Sequence, residues 1–248
     1  MTIIIVLALY ALAINLLLWW VGYKSPQAVA KGSSTKRPER VLIIGATGGT
    51  GRQLVELALE RGYIVTALVR NPSKLGVEHP RLKVVRGDVL DCESVAVAVQ
   101  GQDAVLSTLG HKRFYYPTRI LSEGTRNILK AMEANGVRRF VCETALGTGD
   151  TAGRMGLLYT FIIVPLVLPF YFFDKTRQEK LIAQSAADWV IVRPGALTNG
   201  IKRGVYRHGF NIGSFIIGAR ISRADVADFM LDQLESDDYL GTAPGVSW

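Results

Sequence analysis

Apolar and polar positions alternate in blocks along this chain, and the blocks predict an order of elements. Residues 1–23 carry no charged side chain, and Asn15 is the one strongly polar residue among them. As a helix at about 1.5 Å per residue, residues 2–22 span roughly 30 Å, the hydrocarbon thickness of a bilayer. From Val41 onward, short apolar runs alternate with helix-period stretches. They predict strands at 41–44, 63–69, 82–85, 103–108, 139–144 and 189–192, the last broken by Pro194-Gly195. Between them, helices are expected at 53–61, from a cap at Asp91 to about Val99, from Pro117 to Ala134, and over 174–186. A helix over 221–231, capped by Ser222, follows and is expected to close the substrate side. Strands alternating with helices imply βαβ units, a parallel sheet and a doubly wound α/β fold.

The junction of the first strand and first helix carries the chemistry. Val41-Leu-Ile-Ile-Gly45-Ala-Thr-Gly48-Gly-Thr-Gly51-Arg52 runs from strand through a tight turn into a helix, with GxxGxxG spacing. Such a turn aims backbone N–H groups and a helix N-terminus at one spot, a ready site for a pyrophosphate. Gly45 permits the turn, Gly48 lets backbone approach phosphate and Gly51 lets helix pack on strand. Thr47, Gly49 and Thr50 complete the candidate cradle.

The next strand ends in Arg70-Asn71-Pro72, where an NAD site would place Asp or Glu on the ribose hydroxyl. Arg70, with Arg52 after the turn and Lys74 close by, suits a 2′-phosphate instead, so NADP(H) is the expected cofactor.

Composition changes the picture at the amino terminus. Trp19, Trp20 and Tyr23 gather at the end of the first apolar run, as an interfacial belt would. Lys24, Lys31, Lys36, Arg37 and Arg40 follow against Glu39, so this linker holds +4 of the formal +8. The division expected is a transmembrane anchor at 1–23, a basic linker at 24–40 and one domain at 41–248. The positive-inside rule puts that domain on the cytoplasmic side, and the linker favours anionic lipid. Ala28-Val29-Ala30 has the form of a signal-peptide cleavage site, but no basic residue precedes the long apolar run, and an anchor fits better.

With half the excess charge at the membrane, nucleic acid is not an expected partner. Cys92 and Cys142 give no disulfide framework, and with His79, His111 and His208 they give no metal spacing.

Residues 155–173 form a second block of nineteen residues without a charge. Pro165 and Pro169 each interrupt a helix, and a single span would strand Lys175 across the membrane from the glycine turn. A broken, membrane-facing hairpin or loop beside the active-site mouth is expected, with burial against a partner protein as the alternative.

Taken in order, the glycine turn, Val69-Arg70-Asn71-Pro72, Gly87-Asp88-Val89, Tyr171-Phe-Phe-Asp-Lys175, Val192-Arg193-Pro194-Gly195 and Ser222-Arg-Ala-Asp-Val226 resemble the atypical short-chain dehydrogenase/reductase family, in its NmrA-like, NAD(P)-binding branch. The resemblance covers about residues 40–238 and implies a Rossmann-type domain. It implies that Asp88 and Val89 bracket the adenine, that Thr108, Leu109 and Gly110 line the nicotinamide ribose, and that Pro194 also borders the cofactor. Its catalytic trio maps to Thr144, Tyr171 and Lys175. Tyrosine exchanges the proton at the substrate oxygen, and lysine holds the ribose and lowers the tyrosine pKa. Ala145 stands where the family has a second serine, and Tyr171 lies among phenylalanines where a tyrosine can simply pack.

Two functions follow as expectations. One is a membrane-anchored NADP(H)-dependent reductase of a hydrophobic carbonyl or quinone-like substrate. The other is a non-catalytic cofactor-binding subunit or assembly factor of a membrane protein complex.

Overall fold

Strands buried on both faces organise the molecule. The computed structural model describes residues 2–25 and 37–248; most of the basic linker, with Lys31, Lys36 and Ala28-Val29-Ala30, lies outside the described residues. Strands β1 (Arg40–Ile44), β2 (Ile64–Val69), β3 (Leu82–Arg86), β4 (Ala104–Ser107), β5 (Arg139–Glu143) and β6 (Asp188–Pro194) lie parallel in the order β3-β2-β1-β4-β5-β6. The short pair β7 (Ala196–Thr198) and β9 (Arg220–Ser222) stands apart. β10 (Gly245–Ser247) joins β6, and β8 (Arg207–Gly209) closes that edge antiparallel.

Alternation along each strand feeds two cores. Val41 and Ile43 point into one, with helices α2 (Gly49–Glu60) and α6 (Arg223–Asp232). Leu42 and Ile44 point into the other, with α3 (Cys92–Val99), α4 (Ile120–Ala134) and α5 (Pro169–Ala183). Helices on both faces are what make these strands continuous apolar runs. Strand order reverses between β1 and β4, so the crevice beyond their carboxyl ends is where such a sheet takes ligands.

Two expected helix starts move, and one expected role changes. α4 begins at Ile120, not at Pro117, because the buried carboxylate of Asp174 accepts the N–H groups of Leu121 and Ser122 and serves as its cap. α5 begins at Pro169, five residues before the expected Asp174, since proline is tolerated at the first helical position. α6 does not close the substrate side. Its body packs against α2, and only its first residue, Arg223, reaches the glycine turn.

The amino-terminal helix α1 (Thr2–Val21) is long and apolar enough to cross a membrane. Ala11, Asn15 and Leu18 form its buried stripe, continued by buried Gly22 just past its end, while the other faces are largely exposed. That stripe meets the second apolar block, which folds as a π-helical segment, Tyr159–Val167, bent by 92° from α5 at Leu168. Asn15 Nδ2 donates to the carbonyls of Ala11 and Thr160, both at 2.8 Å, and Tyr10 Oη donates to that of Pro165 at 3.4 Å.

Candidate functional site

The glycine turn leaves room at the crevice by having no side chains. Gly45 has φ +88°, and a Cβ there would meet the Thr108 carbonyl oxygen at 2.6 Å. On Gly51 a Cβ would lie 2.1 Å from the Gly45 oxygen, so only glycine lets α2 sit this close to β1. Gly48 N–H donates to the Gly45 carbonyl at 2.8 Å, and as N-cap it places no side chain over the first turn of α2. The free N–H groups of that turn, which itself carries no acidic residue, fit a pyrophosphate. Thr47 is half-buried in the same turn, whereas the Thr50 hydroxyl is turned inward onto Glu143 at 3.1 Å.

The expected cofactor residues gather along the carboxyl ends of β1 to β6. Arg52 donates to the Lys74 carbonyl at 2.6 Å, so it lies beside the 71–74 turn that follows exposed Arg70. Asp88 accepts from the Leu90 N–H, and buried Val89 sits on Gly124 of α4. Leu109 reaches the same glycine. Thr108 N–H and hydroxyl both bond the Ile44 carbonyl, tying the end of β4 to the turn. Pro194 ends β6 nearby in the sheet.

Tyr171 and Lys175 stand one turn apart on α5. A Cβ on Gly110 would lie 3.5 Å from the Tyr171 hydroxyl, which therefore faces the loop after β4. The Tyr171 ring meets His111 edge-on at 5.0 Å and Phe114 at 5.8 Å between centroids. Beneath it, the Lys175 ammonium is 5.2 Å from the Tyr171 ring centroid and 3.5 Å from the Glu143 carbonyl oxygen. Burial works against the lysine charge, yet Tyr171, Glu143 and other partners raise its pKa above the ordinary value. Burial also lifts the Glu143 carboxyl, against the opposing pull of Lys175 and Thr50. His111 is shifted down by burial; its Nδ1 accepts from Arg113 N–H, which leaves the proton on Nε2 for Thr118.

Thr144 behaves differently. Its hydroxyl donates at 2.7 Å to Glu179, which also accepts from Thr148 and from the guanidinium of fully buried Arg193. A hydroxyl so committed can accept a hydrogen bond from a ligand but has no proton to give it. Arg193, on β6, extends the network to Asp150 at 2.7 Å and to the Tyr23 carbonyl at 3.2 Å, so it joins the chain just after α1 to β6. Glu179 and Asp150 were not singled out by sequence reasoning. Arg193, Asp174 and Arg223 stood in the quoted motifs without a role, and they were the available signal.

The geometry is that of a dinucleotide-binding α/β protein. The sequence profile described as NAD(P)H-binding matches residues 45–237, and the chain belongs to that family, so a nicotinamide cofactor is its ligand. An uncharacterised chloroplastic protein of Arabidopsis thaliana is 31% identical over 66% of this chain and 61% of its own length. A 3-beta-hydroxysteroid dehydrogenase of Mycolicibacterium neoaurum is 39% identical over 44% of this chain and 33% of its own. The photosystem II assembly factor Ycf39 of Synechocystis is 26% identical over 80% of this chain and 59% of its own. The chain thus spans one third to three fifths of these relatives. Among solved structures, a short-chain dehydrogenase/reductase of Veillonella parvula in complex with NADP shares the fold, with TM-score 0.69 and 18% identity, over 85% of this chain and 95% of that one.

Proposed function

We propose that the chain is a membrane-anchored, NADP(H)-dependent reductase of a lipid-soluble carbonyl or quinone-like compound, with its domain on the cytoplasmic side. One observation carries the reading. Tyr171, poised over Lys175 and facing the end of β4, packs in the same apolar cluster as Ile14 and Leu18 of α1. The proton donor and the anchor therefore share one surface, and a hydrophobic substrate reaches the site without crossing water.

When bound, the reduced nicotinamide supplies a hydride to the substrate carbon. Tyr171 gives its proton to the substrate oxygen, and the charge on buried Lys175 stabilises the phenolate that is left. Thr144 and Glu143 hold the floor of the site rather than exchange protons. Arg70 and Arg52 grip the 2′-phosphate, which favours NADP(H) over NAD(H).

The second reading, a cofactor-binding subunit or assembly factor, draws on the commitment of Thr144 to Glu179 and the alanine at position 145. Its named relative is the photosystem II assembly factor. Tyr171→Phe and Lys175→Ala separate the two. The reductase reading expects Tyr171→Phe to slow NADPH oxidation by a short-chain quinone about 100-fold or more with cofactor binding kept. Turnover unchanged by both substitutions would overturn it.

A further inference from the structure

Residues 214–218 form an exposed loop that no step above uses. Phe215, Ile216 and Ile217 are 62%, 72% and 73% exposed, and residues 209–219 contain no charged side chain. We propose that this loop enters the bilayer beside α1 and the π-helical segment as a third membrane-embedded element, with lipid hydrocarbon as its occupant. The proposal rests on the anchored reading above.

Several backbone groups of the loop are met inside the protein. Ser214 Oγ accepts from the N–H groups of Ile216 and Ile217 at 3.1 and 3.2 Å. The Ser214 carbonyl accepts from Gly156 at 2.8 Å, and that of Ile216 accepts from Leu157 at 3.4 Å. Irregular backbone at membrane depth is tolerated only where its polar groups are met inside the protein.

Its position also points to lipid. The loop is bolted to the strand of chain that leads into the π-helical segment. Gly153 makes room for the Phe215 ring, which a Cβ would meet at 3.0 Å, and Gly156 makes room for the Gly218 backbone. Beside it, Leu157, Leu158, Phe161 and Ile162 are exposed, and the same segment continues onto α1 through Asn15 and Thr160. The apolar surface is thus continuous with the anchor. Arg154 and Arg220 flank the two uncharged stretches in sequence, suited to phosphate headgroups at the edge of the layer.

The test uses the full chain in lipid nanodiscs, in a Cys92→Ser background, with an environment-sensitive fluorophore on a single introduced cysteine. Ile216→Cys and Ile217→Cys report on the loop, Leu9→Cys on the anchor, and Val97→Cys on exposed α3. With brominated acyl chains, labels at 216 and 217 are expected to lose about half their emission, as at 9, because quenching requires the label within the hydrocarbon layer. The label at 97 is expected to stay bright. Quenching at 9 but not at 216 or 217 would overturn the loop insertion alone. Loop labels shielded from aqueous iodide yet untouched by brominated lipid would overturn it in favour of a protein contact. No quenching at 9 would overturn the anchored reading beneath it.

Discussion

The two sides of the crevice are built in opposite ways. On the cofactor side, space comes from missing side chains, and the important bonds run between backbone groups a few residues apart, such as Gly48 N–H to Gly45. On the substrate side, shape comes from side chains joined across most of the chain: Asn15 to Thr160, Asp174 to Leu121, Arg193 to Asp150 and Tyr23. The first arrangement is a reusable cradle. The second makes this molecule particular, because it ties an apolar helix to the strand that carries Thr144.

The largest effect is expected where the second arrangement is cut. Glu179→Ala leaves Arg193 buried with Asp150 as its remaining carboxylate, and such a loss costs about 3–5 kcal/mol. Thermal unfolding should fall by on the order of 10 °C. An unchanged midpoint would mean the network does not bind α1 to the domain.

The matching break on the cofactor side is Gly51→Ala. Its Cβ would clash with backbone that cannot yield, so NADPH binding should weaken about 100-fold, or about 2.7 kcal/mol. Fluorescence titration checks this. Both variants should lose stability, whereas the loss of NADPH affinity should belong to Gly51→Ala.

Arg70→Asp sharpens the cofactor side further. Replacing the cation by a carboxylate should reverse the preference for NADPH over NADH by about 10- to 100-fold in Kd, with little change in stability. Equal affinities in the parent protein would remove the basis for NADP(H).

A smaller effect is expected at the helix interface. Asn15→Leu removes the bond to Thr160, and interhelical bonds in membranes are worth about 0.6 kcal/mol on average. Proteolysis of the 155–173 segment in nanodiscs should quicken slightly.

The smallest is a pH effect at the mouth. Burial holds the His111 pKa below its unfolded value, so neutral His111 stabilises the 111–118 loop fully above about pH 6.5. That contribution is lost as pH falls from there through the folded pKa. Hydrogen exchange in this loop should rise on acidification in the parent and stay flat in His111→Gln.

The same contrast decides how much could be read from the sequence. The glycine turn, the helix capped by Asp91 and the helix capped by Ser222 were legible, because each cap lies within a few residues of the N–H it accepts. The six parallel strands were legible from their apolar runs, whereas β8 and β10, three residues each, were not. The start of α4 was not, since Asp174 lies over fifty positions from Leu121. Nor was the start of α5, where Pro169 reads as a breaker although it opens the helix. Tyr171 and Lys175 were expected from the family resemblance and its spacing, but the commitment of Thr144 to Glu179 depends on Arg193 and on how β5 and β6 pair.

The most direct measurement of the whole account follows cofactor emission from the full chain in nanodiscs that contain a long-chain quinone. The account expects a prompt change in emission when NADPH is added, then steady decay that is lost in Tyr171→Phe. A prompt change that never decays with any membrane-delivered carbonyl or quinone would contradict the reductase. No change on adding NADPH would contradict the NADP(H) site itself.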